Sequence, residues 1–242
     1  MLQGVILAAG LGSRIREFHA LPKGFIRLGE QPIIQESIEK LHACNITDIL
    51  IVTGYAANYY DVFVKQWKTV KTLFNPHYHN HASLYSLYCA KEWIKNDFLL
   101  LESDIVFEKR ALDIILNDRH DNTILLSGQT DSGDEVYVEA VEQRLIRMSK
   151  QKETLAPQHI YGEFVGINKI ALTDFQKLIH LLDQNNKLLQ KGNYDEQGLV
   201  ALKQYAHVHC LKIPDLVWGE IDNVQQFERA KKLYSRVRDK AL

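Results

Sequence analysis

Short apolar runs alternate with amphipathic segments along the first half of the chain. Four runs are apolar and bounded by turn residues, as buried strands are: GVILAA, DILIVTG, VKTLFN and DFLLLES. Three segments between them repeat apolar residues at helical spacing: IIQESIEKLHAC, AANYYDVFVKQW and SLYSLYCAKEWI. The alternation predicts an α/β fold, with a Rossmann-like, mostly parallel sheet flanked by helices.

The pattern changes in the second half. A helix from Arg110 to Leu116 and a strand at NTILLSG precede EVYVEAVEQRLIRMSK, whose alternation of apolar and polar residues predicts a half-exposed hairpin. The remaining predicted elements are a strand at YGEFVGINKI, helices over 171–191 and 196–203, a strand at HVHCLKI and a helix from Val224 onward. No linker or repeat interrupts the chain. We therefore predict a single domain, 1–242, with a small substrate lobe mainly from 130–200.

Composition narrows the classes of partner. The 242 residues carry a formal net charge of -1, so we expect no nucleic-acid surface, and phosphate binding must rely on locally placed cations. No apolar run approaches the ~20 residues of a membrane span, and MLQGVILAAG leads directly into a core strand. Cys44, Cys89 and Cys210 lack CxxC pairing, which predicts reduced, buried thiols. We expect a cytoplasmic protein without a membrane partner.

The segment from Leu7 to Lys23 carries the strongest chemical signal. The first strand ends in a glycine-rich turn, where Gly10 and Gly12 allow backbone N–H groups to approach a phosphate. Arg14 and Lys23 supply positive charge. A dinucleotide fingerprint lacks its third glycine and its acidic residue, and a P-loop lacks Gly-Lys-Ser/Thr. The turn predicts a nucleoside triphosphate site, although such turns also occur for purely geometric reasons.

Carboxylates are predicted at the same edge of the sheet. Asp104 follows the strand LLLES, and strands of an open α/β sheet present their carboxyl ends to the ligand crevice. Glu220 and Asp222 lie at alternate positions before the last helix, so both point to one face. A carboxylate facing a triphosphate requires a cation, which predicts Mg²⁺ bound by Asp104 and Asp222. The alternative is helix capping by Asp104, Asp222 or Asn223.

Histidine spacing gives a weaker signal. HNH at 79–81 and HVH at 207–209 raise the question of a zinc site. HVH belongs to a strand with alternating faces, and no cysteine or third histidine stands at ligand spacing, so we predict no zinc site.

Five motifs together resemble a known family. LAAGLGSRI, PKGF with LGEQPII, LLLESD, YGEFVGI and WGEIDN match, in order and over nearly the whole chain, the nucleotidyltransferases that activate small phosphorylated acceptors. Within that family the chain looks most similar to the 2-aminoethylphosphonate cytidylyltransferases, with phosphocholine cytidylyltransferases as near relatives. The resemblance implies CMP transfer from CTP to 2-aminoethylphosphonate, with Mg²⁺ as cofactor and pyrophosphate as product. A homodimer is possible.

The resemblance also implies residue roles. The nucleotide would be held by Leu7, Ala8, Ala9, Gly10, Gly12, Ser13, Lys23, Ala82, Ser83 and Glu102. Catalysis is assigned to Arg14, Lys23 and Asp104, and metal binding to Asp104 and Asp222. An amino-phosphonate needs cations at one end and acidic or aromatic groups at the other. The candidates for acceptor binding are Asp134, Lys150, Glu163, Glu196 and Trp218.

Three alternatives remain open at this stage. The acceptor could be phosphocholine, held in an aromatic cage of Trp218, Tyr194 and Tyr137. The chain could bind a nucleotide without catalysing a reaction. It could also be a sugar-phosphate nucleotidyltransferase or a glycosyltransferase, which share this strand–loop architecture.

Overall fold

The computed structural model describes residues 1–189 and 194–239. The strands are β1 (Gln3–Ala8), β2 (Ile49–Thr53), β3 (Val70–Phe74), β4 (Phe98–Glu102), β5 (Ile105–Phe107), β6 (Thr123–Ser127), β7 (Tyr137–Val141), β8 (Arg144–Ser149), β9 (Ile160–Ile170), β10 (His209–Ile213) and β11 (Trp218–Glu220). The α-helices are α1 (Ile33–Ala43), α2 (Ala57–Phe63), α3 (Ser83–Cys89), α4 (Arg110–Asn117), α5 (Leu172–Gln184), α6 (Asp195–Leu202) and α7 (Val224–Asp239).

Nine strands form one sheet in the order β3-β2-β1-β4-β9-β6-β10-β8-β7, and β7 also pairs with β9. The predicted α/β class is confirmed, but the sheet is mixed, because β8 and β9 run antiparallel to their neighbours. The predicted parallel half is correct: β3, β2, β1 and β4 are parallel. β5 was not predicted; it pairs with β11 in a separate two-stranded sheet.

Both faces of the main sheet are buried. Along β1, Val5 and Leu7 pack in one apolar cluster, whereas Ile6 and Ala8 pack in another on the opposite face. The first cluster includes residues of α3, α5 and α6, and the second includes residues of α1 and α4. A strand covered on both faces is apolar throughout, which explains the continuous run GVILAA.

The second half follows the predicted elements with shifted boundaries. The predicted hairpin is confirmed as β7–β8, turning through Glu142 and Gln143, both at positive φ. The predicted helix 171–191 is shorter: α5 ends at Gln184, a 3₁₀ turn covers Asn186–Leu189, and 190–191 lie outside the described residues.

Two further expectations concern thiols and membranes. The three cysteines are free, but only Cys210 is buried; Cys44 and Cys89 are half-buried, which corrects the expectation for those two. Over the described ranges, no helix has the length and apolar character needed to cross a bilayer.

Candidate active site

The carboxyl ends of β1 and β4 open into a cavity of about 480 Å³, which we call the strand-end cavity. The glycine turn after β1, the turn between β4 and β5, and the segment from β11 into α7 all contribute to its wall. This is the position at which open α/β sheets bind ligands, because loops from successive strands meet there. The cavity is therefore the candidate active site.

The glycine turn brings Lys23 into this cavity. Gly12 has φ +61, a left-handed conformation that glycine adopts without strain. A Cβ at this position would lie 3.3 Å from Cγ of Lys23. The absence of a side chain at Gly12 thus lets the aliphatic part of Lys23 cross the turn.

Lys23 joins two carboxylates that are far apart in sequence. Its Nζ donates to Oδ2 of Asp104, in the turn after β4, and to Oδ1 of Asp222, which follows β11. Burial alone would lower the pKa of the Lys23 ammonium, but the carboxylates of Asp104 and Asp222 outweigh it and the pKa is raised. Lys23 therefore remains charged in the cavity.

Helix capping does not account for either aspartate. Asp104 precedes β5, not a helix. At the start of α7, Oδ1 of Asn223 accepts a hydrogen bond from the backbone N–H of Gln226 at 2.9 Å, so Asn223 is the capping residue. The backbone N–H of Asp222 donates to Oε1 of Gln226 at 2.6 Å. The Asp222 carboxylate instead contacts Arg14 and Lys23 in the cavity.

Alternating charges extend from this centre toward the solvent. A guanidinium nitrogen of Arg14 donates to Asp222, and the other lies 3.1 Å from Oδ2 of Asp134. Oδ1 of Asp134 in turn accepts a hydrogen bond from Nζ of Lys150 at 2.8 Å. Burial raises the pKa of the Asp222 carboxyl, but Lys23 and Arg14 outweigh this effect and lower it. The network places Lys150 at the outer end.

Two groups of carboxylates have a geometry that suits a metal ion. Oxygens of Glu102, Asp104 and Glu220 lie within 4.8 Å of one another, and so do oxygens of Asp134, Glu220 and Asp222. Burial and the neighbouring charges of Asp104 and Asp222 raise the pKa of Glu220 well above its ordinary value. An all-oxygen donor set with crowded negative charge fits Mg²⁺, which prefers carboxylate ligands and would relieve the repulsion.

Glu102 reaches this group because of a glycine on the neighbouring strand. Gly166 has φ +80, and a Cβ there would lie 2.8 Å from Oε2 of Glu102. Any larger residue would displace the Glu102 carboxylate.

The predicted acceptor residues all line the cavity, but Glu163 has a structural partner. It is buried, and its two oxygens accept hydrogen bonds from the backbone N–H and the hydroxyl of Thr130, each at 2.8 Å. Burial raises the pKa of Glu163 although these bonds lower it. Glu196, near the start of α6, is also buried. Nε1 of Trp218 is buried and has no hydrogen-bond partner within the described residues.

The predicted base-binding turn also lines the cavity. Ala82 and Ser83 line the cavity at the start of α3, with His79 and His81 beside them. His81 stacks on Tyr85, with ring centroids 4.3 Å apart. Its Nδ1 contacts the carbonyl oxygen of Leu189.

All predicted site residues except Ala8 line the cavity. Ala8 instead packs in the apolar cluster on the other face of β1, because side chains alternate along a strand. The sequence reasoning missed Arg229 of α7, which lines the cavity and donates to the carbonyl oxygen of Thr130, and it ranked Glu220 below Asp222. Both Glu220 and Arg229 belong to the segment WGEIDNVQQFERA, but only the packing of α7 reveals the position of Arg229.

Comparison with known proteins gives a family and a fold. The family model described as "MobA-like NTP transferase domain" matches residues 4–240. A choline-phosphate cytidylyltransferase from Streptococcus pneumoniae is 33% identical over 108 residues, which are 44% of this chain and 47% of that protein. The chain spans about half the length of the curated relatives that it matches.

Solved structures share the whole fold. An inositol-1-phosphate CTP transferase from T. maritima superposes with a TM-score of 0.81 at 17% identity, covering 100% of this chain and 98% of that one. A CTP:phosphocholine cytidylyltransferase from Streptococcus pneumoniae gives 0.80 at 22% identity, covering 96% and 99%. At these identities the likeness establishes the fold alone.

Proposed function

Because the chain belongs to the MobA-like NTP transferase domain family, we propose that it transfers CMP from CTP to 2-aminoethylphosphonate and releases pyrophosphate. The observation that carries the proposal is the convergence of Lys23, Asp104 and Asp222 beside the glycine turn. CTP is favoured as the donor because the names of several relatives include cytidylyltransferase or CTP transferase. The acceptor is inferred from the motifs and from the charges of the cavity.

The chain's cations have a clear task in such a reaction. One pair of unit charges about 4 Å apart costs on the order of 4 kcal/mol at an effective dielectric of 20, and several phosphate and phosphonate charges must meet here. Lys23 and Arg14 bind and neutralise the triphosphate, while backbone N–H groups of the glycine turn orient it. Asp104 and Asp222 are the residues that would hold Mg²⁺, which supplies further positive charge at the phosphates when bound.

The acceptor already carries its nucleophile. A phosphonate oxygen, an anion near neutral pH, forms a bond to the α-phosphorus, and the bond from that phosphorus to the bridging oxygen of pyrophosphate breaks. The electron pair leaves with pyrophosphate, so no general base is needed. Lys150, at the outer end of the charge network, binds the phosphonate.

The ammonium end is assigned to carboxylates. A primary ammonium donates three hydrogen bonds, and the buried carboxylates of Glu196 and Glu163 both line the cavity. The indole of Trp218 also lines the cavity.

Phosphocholine is the second candidate acceptor, and the choline-phosphate relative favours it. A quaternary ammonium has no N–H donor and is bound best by an aromatic cage. Trp218 and Tyr194 line the cavity, but Tyr137 is absent from its described lining, which includes seven carboxylate side chains. These groups suit a primary ammonium better, and 2-aminoethylphosphonate is therefore the preferred acceptor.

The test measures pyrophosphate release with each of the four nucleoside triphosphates, Mg²⁺ and a panel of acceptors. We expect the fastest release with CTP and 2-aminoethylphosphonate. Faster turnover with phosphocholine, inositol phosphate or a sugar phosphate would replace the acceptor. CTP binding without pyrophosphate release from any pair would contradict catalysis and favour a nucleotide-binding protein.

A further inference from the structure

Three histidines meet at the end of the sheet opposite the strand-end cavity, where β6 and β10 begin. His209 is the first residue of β10 and pairs in parallel with Thr123, the first residue of β6. His120 lies in the turn just before β6, and its ring stacks on that of His209 with centroids 3.8 Å apart. The His207 ring lies 5.4 Å from His120 and 6.3 Å from His209. We call His120, His207 and His209 the histidine cluster.

The cluster contains a third histidine that ligand spacing along the sequence did not reveal. His207 and His209 are two positions apart, so both point to the same side of the chain. The third imidazole comes from a segment 87 residues earlier than His207, because the parallel pairing of β6 with β10 brings the starts of both strands together. Ligand spacing along the sequence was the wrong criterion, since strand register supplies the contact.

Asp118 orients one ring of the cluster. Its Oδ1 accepts a hydrogen bond from Nδ1 of His120 at 2.9 Å, another from the His120 backbone N–H at 2.9 Å, and a third from the Thr123 hydroxyl at 2.8 Å. A hydrogen on Nδ1 leaves the lone pair of His120 on Nε2, the nitrogen that is then available as a ligand. A carboxylate bonded to the other nitrogen of a ligating histidine is the usual outer partner in metal sites.

The three side chains also have the required proximity. One nitrogen from each ring lies within 4.8 Å of the corresponding nitrogens of the other two. Zn²⁺ binding requires the stacked rings to rotate until one nitrogen of each lies ~2.0–2.1 Å from the ion, and the His207 side chain is exposed.

We propose that His120, His207 and His209 bind a divalent transition-metal ion of the Zn²⁺ type, with Asp118 as the orienting carboxylate. Three imidazoles suit Zn²⁺, Ni²⁺ or Cu²⁺ and do not suit Mg²⁺, which requires oxygen ligands. The ion would link the turn before β6 to the start of β10. Its role is structural, because the cluster lies at the starts of β6 and β10, outside the strand-end cavity.

The test uses the full chain without a polyhistidine tag, in excess Mg²⁺ so that the carboxylates of the strand-end cavity are occupied. We expect about one Zn²⁺ per chain after dialysis, by elemental analysis. At about a hundredfold excess over Kd, Zn²⁺ should raise Tm by about 5–10 °C. Bound Co²⁺ should show the d–d absorption of imidazole coordination. A chain that retains no Zn²⁺ and shows no shift would overturn the proposal.

Two variants locate the site. His207→Asn removes an exposed side chain and should weaken Zn²⁺ binding by at least about tenfold. The matched control is His180→Asn, which removes an exposed imidazole on α5 and should bind Zn²⁺ normally. Equal binding by both variants would refute the assignment. Neither should alter pyrophosphate release, so this result is independent of the proposed function.

Discussion

Different polar clusters lie at the two opposite ends of the strands of the main sheet. At the strand-end cavity, carboxylates are held by Lys23 and Arg14 in a network of charges. At the opposite end of the sheet, the histidine cluster contains imidazole rings stacked on one another beside a single carboxylate. Oxygen donors with balancing cations suit phosphates and Mg²⁺, whereas nitrogen donors suit transition metals. The type of donor atom thus distinguishes the proposed reaction site from the proposed structural metal site.

The largest expected effect comes from removing charge at the strand-end cavity. Lys23→Ala and Asp104→Ala should each reduce turnover at least about a hundredfold, because each removes charge compensation worth a few kcal/mol. Pyrophosphate release under saturating CTP measures this, and thermal unfolding checks that the variants are folded. His207→Asn is the control from the opposite end of the sheet and should retain full turnover. Near-normal release from Lys23→Ala or Asp104→Ala would refute the assignment.

The glycine turn should be the next most sensitive position. Gly12→Ala places a Cβ 3.3 Å from Lys23 Cγ in a left-handed conformation, with strain of about 1–2 kcal/mol. We expect turnover to fall about tenfold or more, because Lys23 must shift. Gly133→Ala is matched: it has φ +85 and nothing within 4 Å of the added Cβ, so it carries strain without crowding. Equal losses of kcat in both variants would show that Lys23 placement is not the cause.

The acceptor end should respond in binding more than in rate. Glu196→Gln should raise the KM for 2-aminoethylphosphonate about tenfold, the equivalent of one charge-assisted hydrogen bond, while the KM for CTP stays close to wild type. Steady-state kinetics with each substrate varied in turn separates the two constants. An unchanged acceptor KM would remove Glu196 from the acceptor site.

The smallest effect concerns stability. The raised pKa of Glu220 means that its ionised form destabilises the fold above that pKa. Glu220→Gln should therefore raise the free energy of unfolding by about 1 kcal/mol at pH 7 without Mg²⁺, measured by urea denaturation. The gain should shrink as pH falls through the raised pKa, because wild-type Glu220 then takes up a proton. Asp222 has the opposite sign: its lowered pKa contributes stability that is lost as pH falls through it.

A gain that persists unchanged at acid pH, or no gain at pH 7, would contradict the like-charge origin of the Glu220 shift. The matched change at an exposed carboxylate, Glu153→Gln, should leave stability within about 0.5 kcal/mol at both pH values.

Elements with a local signature were predictable from the sequence. GVILAA is apolar throughout because β1 is covered on both faces, and EVYVEAVEQRLIRMSK alternates because β7 and β8 form an antiparallel hairpin. The glycine turn after β1 was equally predictable, because glycine is the residue type that adopts a positive φ, as Gly12 does, and basic residues follow it in the sequence. The composition and hydrophobic periodicity of a segment indicate which of its faces are buried. Both depend only on residues close together in the sequence, so the sequence alone predicts them.

Only the tertiary structure decided which distant side chains meet. Asn223 caps α7, and the carboxylate of the adjacent Asp222 binds Lys23. Spacing alone could not decide which of these two residues is the helix cap. His120 joins His207 and His209 because β6 pairs with β10, and Arg229 reaches the cavity because α7 packs against β11. Strand order and register depend on the whole set of buried contacts, so residues far apart in sequence acquire common partners only when the sheet is assembled.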